Sequence, residues 1–251
     1  MPRIARIIVP GHVYHVTQRG KYRQEIFRND EGRLKYLSWI DEYSRTYHLA
    51  IWAYCLMDNH VHFIVQPKEE TSLAKVFSVA HMRYSQFFNK ERRASGHLWQ
   101  GRFYSCLLDE PHLMAAMRYV ERNPVRAKIV KKPWEWKWSS ATVHIHGTEG
   151  KDHVVGLKET LGISARSWKE YIDLEENAPD VEVIRRHTRT GRPLGREGFI
   201  RHLSEKLGRT LTVLPRGRPK KAQIVSVPIY SIYCIPPQWH HFMSARLTRD
   251  G

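Results

Sequence analysis

The order of hydrophobic patterns along the chain predicts an α+β fold: an antiparallel sheet with packed helices, then a small, mostly helical basic extension. Three observations carry this reading. Strand-like and helix-like periodicities follow one another as β-α-β-β-α-β-α up to about residue 124. Two of the strand-like runs are joined only by Asp58-Asn59, a link short enough for a tight antiparallel hairpin. The charge balance then changes sign beyond residue 150.

The elements follow in chain order. A strand is expected over His12–Gln18, where Val13, His15 and Thr17 alternate with Tyr14, Val16 and Gln18. It runs into the basic turn Arg19-Gly20-Lys21. Asn29 or Asp30 can cap a helix whose apolar positions Leu34, Leu37, Ile40 and Tyr43 recur at helical spacing. The β-rich runs Ala50–Met57 and His60–Gln66 form the hairpin. Ser72 opens a second helix with the stripe Leu73, Val76, Phe77, Ala80, Tyr84, Phe87 and Phe88, ending near Lys90–Arg93. A short strand at Phe103–Leu108 precedes a third helix, which begins after Pro111 and stops at Asn123-Pro124, because proline disfavours helix in the residue before it. A β-α-β-β-α-β unit is the ferredoxin-like arrangement of an antiparallel sheet covered by helices. Trp134, Trp136 and Trp138 close this region, so a first domain is expected over 1–146.

Residues 147–183 read as an acidic spacer or small helical unit, with eight acidic against four basic side chains in 151–183. Residues 184–221 are strongly basic and read as a second contact surface; Gly198–Leu207 places Phe199, Ile200, Leu203 and Leu207 on one side of a short helix. Residues 222–251 lack clear periodicity and are expected to be poorly ordered. Over all 251 residues, 41 Lys and Arg oppose 25 Asp and Glu, a net charge of +16 that favours a polyanionic partner, nucleic acid before an acidic membrane. Hydrophobic residues, at 41%, are enough to build a core, which excludes wholesale disorder. No apolar run approaches the roughly 18 residues of a membrane span, and no signal sequence follows Met1. The three cysteines form no CxxC and no even set, which fits a reducing cytoplasmic setting.

Chemistry concentrates in two places. His60 and His62 flank one apolar residue within a strand, so both imidazoles project from one face, about 6–7 Å apart at Cα. They can share a divalent cation, or simply be two partly exposed strand histidines. Tyr119 and Asn123 stand four residues apart on a helix and share its face. Asn123 can lend a carbonyl oxygen to the ion or merely end the helix before proline; Tyr119 can be a nucleophile or a half-buried aromatic.

Four ordered blocks resemble the REP-associated tyrosine transposases of the single-tyrosine HUH superfamily. They are Pro10-Gly11 with His15-Val16-Thr17-Gln18-Arg19-Gly20, the run from Trp52 to His62, Leu98-Trp99-Gln100-Gly101-Arg102-Phe103, and the run from Arg118 to Ala127. Trp138-Ser139-Ser140-Ala141 fits the same pattern, and Gly191-Arg192-Pro193-Leu194-Gly195 with Gly217-Arg218-Pro219 resembles the basic extension of some members. The resemblance spans residues 1–146 and implies that His60 and His62 bind metal, that Asn123 completes the ligand set, and that Tyr119 is the nucleophile. It implies cleavage and rejoining of single-stranded DNA through a 5′-phosphotyrosine, on hairpin-forming repetitive DNA. One departure stands out: Asp58 occupies the place where the family usually has proline before Asn-His. A tight turn accepts Asp, but a carboxylate there could alter the metal preference.

Two imidazoles and one amide leave positions open for phosphate and water, which suits Mg²⁺ or Mn²⁺ better than a closed zinc site. A free phenol has a pKa near ~10, and no base for it is legible; Glu121 lies about 100° around the helix per residue and points elsewhere. Arg19, Lys21 and Arg23, and Arg92, Arg93 and Arg102, are candidates for phosphate contacts. Trp99 and Phe103 either stack on unpaired bases or pack in the core. Arg216 and Arg218, in Pro215-Arg216-Gly217-Arg218-Pro219, resemble an AT-hook for the minor groove, or a basic linker. The partner expected is single-stranded or hairpin DNA, bound by a monomer or homodimer. Two alternatives stay open: a nickase of the same chemistry serving replication or plasmid transfer, and a non-enzymatic binder of single-stranded DNA or RNA. Arg102-Phe103-Tyr104 is a poor match to an RNA-recognition signature.

Overall fold

A computed structural model describes residues 6–147 and 154–211. Its sheet is built from β1 (Val13–Arg19), β2 (Leu49–Met57), β3 (His60–Pro67) and β4 (Tyr104–Leu108) in the order β2-β3-β1-β4, all neighbours antiparallel. With α1 (Asp30–Thr46) after β1 and α2 (Ser72–Glu91) after β3, the unit is the split β-α-β-β-α-β predicted above. Strand bounds shift by a residue or so from those read from the sequence. The Asp58-Asn59 link is the hairpin turn, and its Asp58 carbonyl accepts from the backbone N–H of Ile26 (2.7 Å) and Phe27 (3.0 Å).

Helices cover both faces. α1 begins at Asn29, whose side chain accepts from Gly32 N–H, and packs beside α2 on one face. α3 (Glu110–Glu121) is capped by Asp109, whose side chain accepts from His112 N–H, and lies on the other face against β1, β2 and β3. Pro124 does not end helical structure, contrary to the sequence expectation. The chain turns at Arg122 and resumes as the short α4 (Asn123–Arg126), with the proline in its first turn, where its missing N–H costs nothing.

The chain beyond the split unit finishes the sheet. The edge strand β2 is covered by residues 138–140, with Leu56 N–H donating to Trp138 O (2.9 Å) and Ser140 N–H to Tyr54 O (3.0 Å). The opposite edge, β4, is covered by Leu194, which exchanges backbone bonds with Leu107 (2.8 Å) and Asp109 (3.0 Å). Neither edge is therefore left as a bare pairing template there. α5 (Ala141–His146), α6 (Leu157–Leu161) and α7 (Ala165–Asp173) follow, and α8 (Ala178–Thr190) packs on β4 and β1; the change of charge at 183–184 falls inside this helix. α9 (Glu197–Lys206) forms where its apolar spacing predicts, with Leu203 buried and Phe199, Ile200 and Leu207 packed beside it. Among the described residues no helix is long and apolar enough to cross a membrane. Arg216, Arg218 and the stretch 222–251 lie outside the described residues.

Candidate active site

The floor of the site is the register of β1 on β3. Arg19 pairs with His60 and Thr17 with His62, so His15, Thr17, Arg19, His60 and His62 all face the α3 side. The imidazoles of His60 and His62 stand 5.0 Å apart at their ring centres. α3 lowers Tyr119 onto them: its ring is edge-on to His62 at 5.7 Å and to His15 at 5.5 Å. His60, His62, Tyr119 and Asn123 line one cleft of about 620 Å³. Arg19 and Arg23 line it from the β1 end, and α8 closes it with Glu182, Arg185 and Arg189.

Two flanking groups hold the helix that carries Tyr119. Arg126 lies over the Tyr119 ring at 4.1 Å, donates to the Tyr119 carbonyl (2.7 Å) and is gripped by both Glu176 oxygens at 2.6 and 2.7 Å. Arg118 and Arg122 donate to the carbonyls of residues 172–175. The acidic stretch thus docks on the arginines of α3 and α4. Behind Tyr119, Glu121 points away from the cleft as predicted. It is fully buried and accepts from Ser140 Oγ (2.5 Å), His144 Nδ1 (2.6 Å) and Trp168 Nε1 (2.9 Å).

The imidazoles are held neutral. Burial, with smaller contributions from Arg19 and Arg126, pushes His60 down to about 3. Burial pushes His15 down to about 3, and His62 falls well below the usual histidine range, first through burial and then through His60 and the nearby cations. Neutral imidazoles are what a cation requires.

The donor set fits a divalent ion. Asn59 donates through its amide nitrogen to Arg23 O (3.3 Å), so its oxygen accepts from His60 Nδ1 (2.6 Å) and the lone pair of His60 sits on Nε2. The amide nitrogen of Asn123 is buried without a partner, an incomplete arrangement that a phosphate oxygen would complete. Among the described residues no three His, Cys, Asp or Glu side chains form a metal cluster, so an ion here would rest on two imidazoles, one amide oxygen, phosphate and water.

The remaining predicted contacts are dispersed. Lys21 lies over the Tyr22 ring rather than along the cleft. Trp99 is packed in the aromatic core, its ring tilted against His81 at 4.5 Å and its indole N–H donating to the His81 carbonyl (3.0 Å). Phe103 is buried beside Phe77, and Arg102 is exposed outside the cleft. Asp58 does not approach the imidazoles: its carboxylate pairs with Arg33, which corrects the expectation of an added donor near the ion. Sequence reasoning missed His15, Arg126 and the cleft-facing side of α8. The legible signals were the same-face position of His15 on β1 and the helical spacing of Glu182, Arg185 and Arg189.

Residues 8–123 match the family model described as IS200-like transposase. No curated protein matches the chain. Among solved structures, it is similar to a REP-associated tyrosine transposase bound to a REP hairpin (18% identity, 62% of this chain and 92% of that one, TM-score 0.45). It is also similar to a candidate transposase from Deinococcus radiodurans R1 (15% identity, 51% and 92%, TM-score 0.34). A third similarity is to the tRNA(His) guanylyltransferase of Saccharomyces cerevisiae (12% identity, 72% and 79%, TM-score 0.34). The segment of residues 8–123, a little under half of this chain, is therefore similar to the IS200-like transposases.

Proposed function

We propose that this protein cuts and rejoins single-stranded DNA with Tyr119 as nucleophile, on hairpin-forming repetitive DNA of the kind its resemblance to the REP-associated enzymes implies. The observation that carries the reading is the convergence of Tyr119, His60 and His62 on one basic cleft. In the cutting step the phenolic oxygen bonds to phosphorus and the P–O3′ bond breaks. The products are a 5′-phosphotyrosine and a free 3′-hydroxyl, with the phenolic proton lost and one gained by the leaving oxygen. A second 3′-hydroxyl reverses the step without ATP, because the phosphotyrosine conserves the diester bond.

Each residue has a part in this. His60, His62 and Asn123 would hold Mg²⁺ or Mn²⁺, which when bound withdraws charge from the scissile phosphate. Arg126, braced by Glu176, fixes the Tyr119 ring so that its hydroxyl is presented rather than free to rotate away. Arg19, Arg23, Arg185 and Arg189 supply cationic contacts for the strand backbone.

The test is a denaturing gel of end-labelled single-stranded DNA, with and without a hairpin, incubated with protein and Mn²⁺. A covalent adduct that disappears in Tyr119→Phe and in His62→Ala is expected. Retention of the adduct in Tyr119→Phe would overturn the assignment, and tight binding with no adduct on any substrate would favour the non-enzymatic reading.

A further inference from the structure

We propose that Thr188 and His15 form a proton-ordered relay that fixes His62 in the tautomer able to bind metal, so that α8 is part of the cation site without supplying a ligand. This rests on the metal reading above and adds residues from two other elements, β1 and α8.

Hydrogen-bond bookkeeping carries it. Thr188, 3% exposed, places its hydroxyl 2.8 Å from the Ile184 carbonyl and 2.7 Å from His15 Nδ1. A carbonyl only accepts, so the single hydroxyl proton goes to Ile184, the usual back-bond of a helical threonine. Thr188 Oγ1 is then an acceptor toward His15, and His15 Nδ1 carries the proton. In a neutral imidazole this leaves His15 Nε2 bare. That atom lies 2.8 Å from His62 Nδ1, which must therefore donate to it. The lone pair of His62 is left on Nε2. His60 reaches the same state through Asn59, as described above. Both histidines thus expose Nε2 lone pairs, one fixed by the hairpin turn and the other by a helix more than a hundred residues away in sequence. In the opposite order, the Thr188 and Ile184 oxygens would face each other at 2.8 Å with no proton between them.

Removing the hydroxyl reverses the order. In Thr188→Val the buried His15 Nδ1–H loses its acceptor. The least costly relief moves that proton to Nε2, which then donates to His62 Nδ1 and forces the His62 proton onto Nε2, the ligand atom. Partners of metal-bound histidines typically govern about 10–100-fold in metal affinity.

The experiment uses the full chain without DNA. Mn²⁺ binding is measured by calorimetry, and the histidine tautomers are read from nitrogen chemical shifts of the metal-free, ¹⁵N-histidine-labelled protein. Wild type is expected to show His15 and His62 both protonated at Nδ1. Thr188→Val is expected to show the proton of His62 at Nε2 and Mn²⁺ affinity lower by about 10–100-fold. Thr188→Ser, which keeps the hydroxyl, should restore both. A wild-type His62 protonated at Nε2 overturns the relay whether or not any variant folds. So does Thr188→Val with wild-type tautomers and affinity. If wild type binds no Mn²⁺, or binds it as well as His62→Ala does, the metal reading itself fails, an outcome distinct from failure of the relay.

Discussion

The two faces of the sheet are built from the same strands and do opposite things. On the α1–α2 face, β1 and β3 present Tyr14, Val16, Val61, Phe63 and Val65 to a closed aromatic layer that includes Tyr36, Phe77 and Tyr84. On the α3–α8 face, the alternate positions of those strands are His15, Thr17, Arg19, His60 and His62. The first face is covered by the two helices of the β-α-β-β-α-β unit itself, with later residues such as Trp138 and Leu203 joining its core. The second is completed by α3 and by α8, which come later in the chain. One strand can therefore serve both stability and chemistry, because a period of two sends its neighbours to different environments. The sites are separable, and substitutions on each face test how completely.

The largest effect is expected on the dry face. Phe77 is fully buried and packs on Phe63 at 5.4 Å. Phe77→Ala should cost about 3–5 kcal/mol in urea unfolding, while the folded fraction binds Mn²⁺ as wild type does. A loss of Mn²⁺ affinity matching the loss of stability would show that the faces are not separable.

The next largest is expected behind Tyr119. Glu121 is a carboxylate with three buried donors, and it ties α3 to α5 and α7. Glu121→Gln turns an acceptor of three bonds into a group that must itself donate, at a cost of about 2–3 kcal/mol. Because Tyr119 is two residues away on the same helix, DNA adduct formation should slow as well, unlike in Phe77→Ala. Unchanged cleavage would show that the network only stabilises.

These two variants also mark what could be read from the sequence. Apolar alternation and helical stripes were enough for the order of elements up to α3, and the His60–His62 and Tyr119–Asn123 spacings put each pair on one face; that the two faces share a cleft was implied by the family resemblance, not by spacing. The Glu121 network and the Thr188–His15 contact were not legible, because each joins residues far apart in sequence through single hydrogen bonds with no periodic trace. Pro124 misled for a physical reason: the same ring that ends one helix is well suited to the first turn of the next. Trp99 shows a further limit, since its composition fits base stacking and core packing equally, and only the contact with His81 decides its place.

A third test sets one buried histidine from each face side by side. His81 Nε2 shares a hydrogen bond with Tyr36 Oη (3.0 Å) on the dry face, and burial pushes His81 down to about 3, as it does His15 on the other. The unfolded chain protonates these groups near ~6.5, so between about 3 and 6.5 it binds more protons than the folded one. Stability is therefore complete above the upper value and falls as pH drops, by at most about 1.4 kcal/mol per pH unit for each imidazole. His81→Gln keeps a hydrogen-bonding group for Tyr36 but cannot titrate. Its unfolding free energy should fall less steeply with acid than that of wild type. Parallel curves would show that His81 is not held neutral and that the first face is wetter than its aromatic layer implies.

The smallest effect is expected at the hairpin turn, where the two faces meet. Asp58 pairs with Arg33, whose guanidinium also lies over the rings of Phe27, Trp136 and Trp138 at 5.5, 5.8 and 5.6 Å. The Asp58 side chain is about half exposed, so water screens the pair, and Asp58→Asn should cost no more than about 1 kcal/mol. The backbone bonds from Ile26 and Phe27 to the Asp58 carbonyl survive the change, so the turn keeps its shape. Because the carboxylate is engaged on the Arg33 side, the ratio of Mn²⁺ to Mg²⁺ affinity should match that of wild type. A shifted ratio would place the carboxylate in reach of the imidazoles and join the two faces at this turn. A constant ratio leaves ion preference to the proposed ligands His60, His62 and Asn123, and leaves Asp58 as a clamp on the arginine beneath the turn.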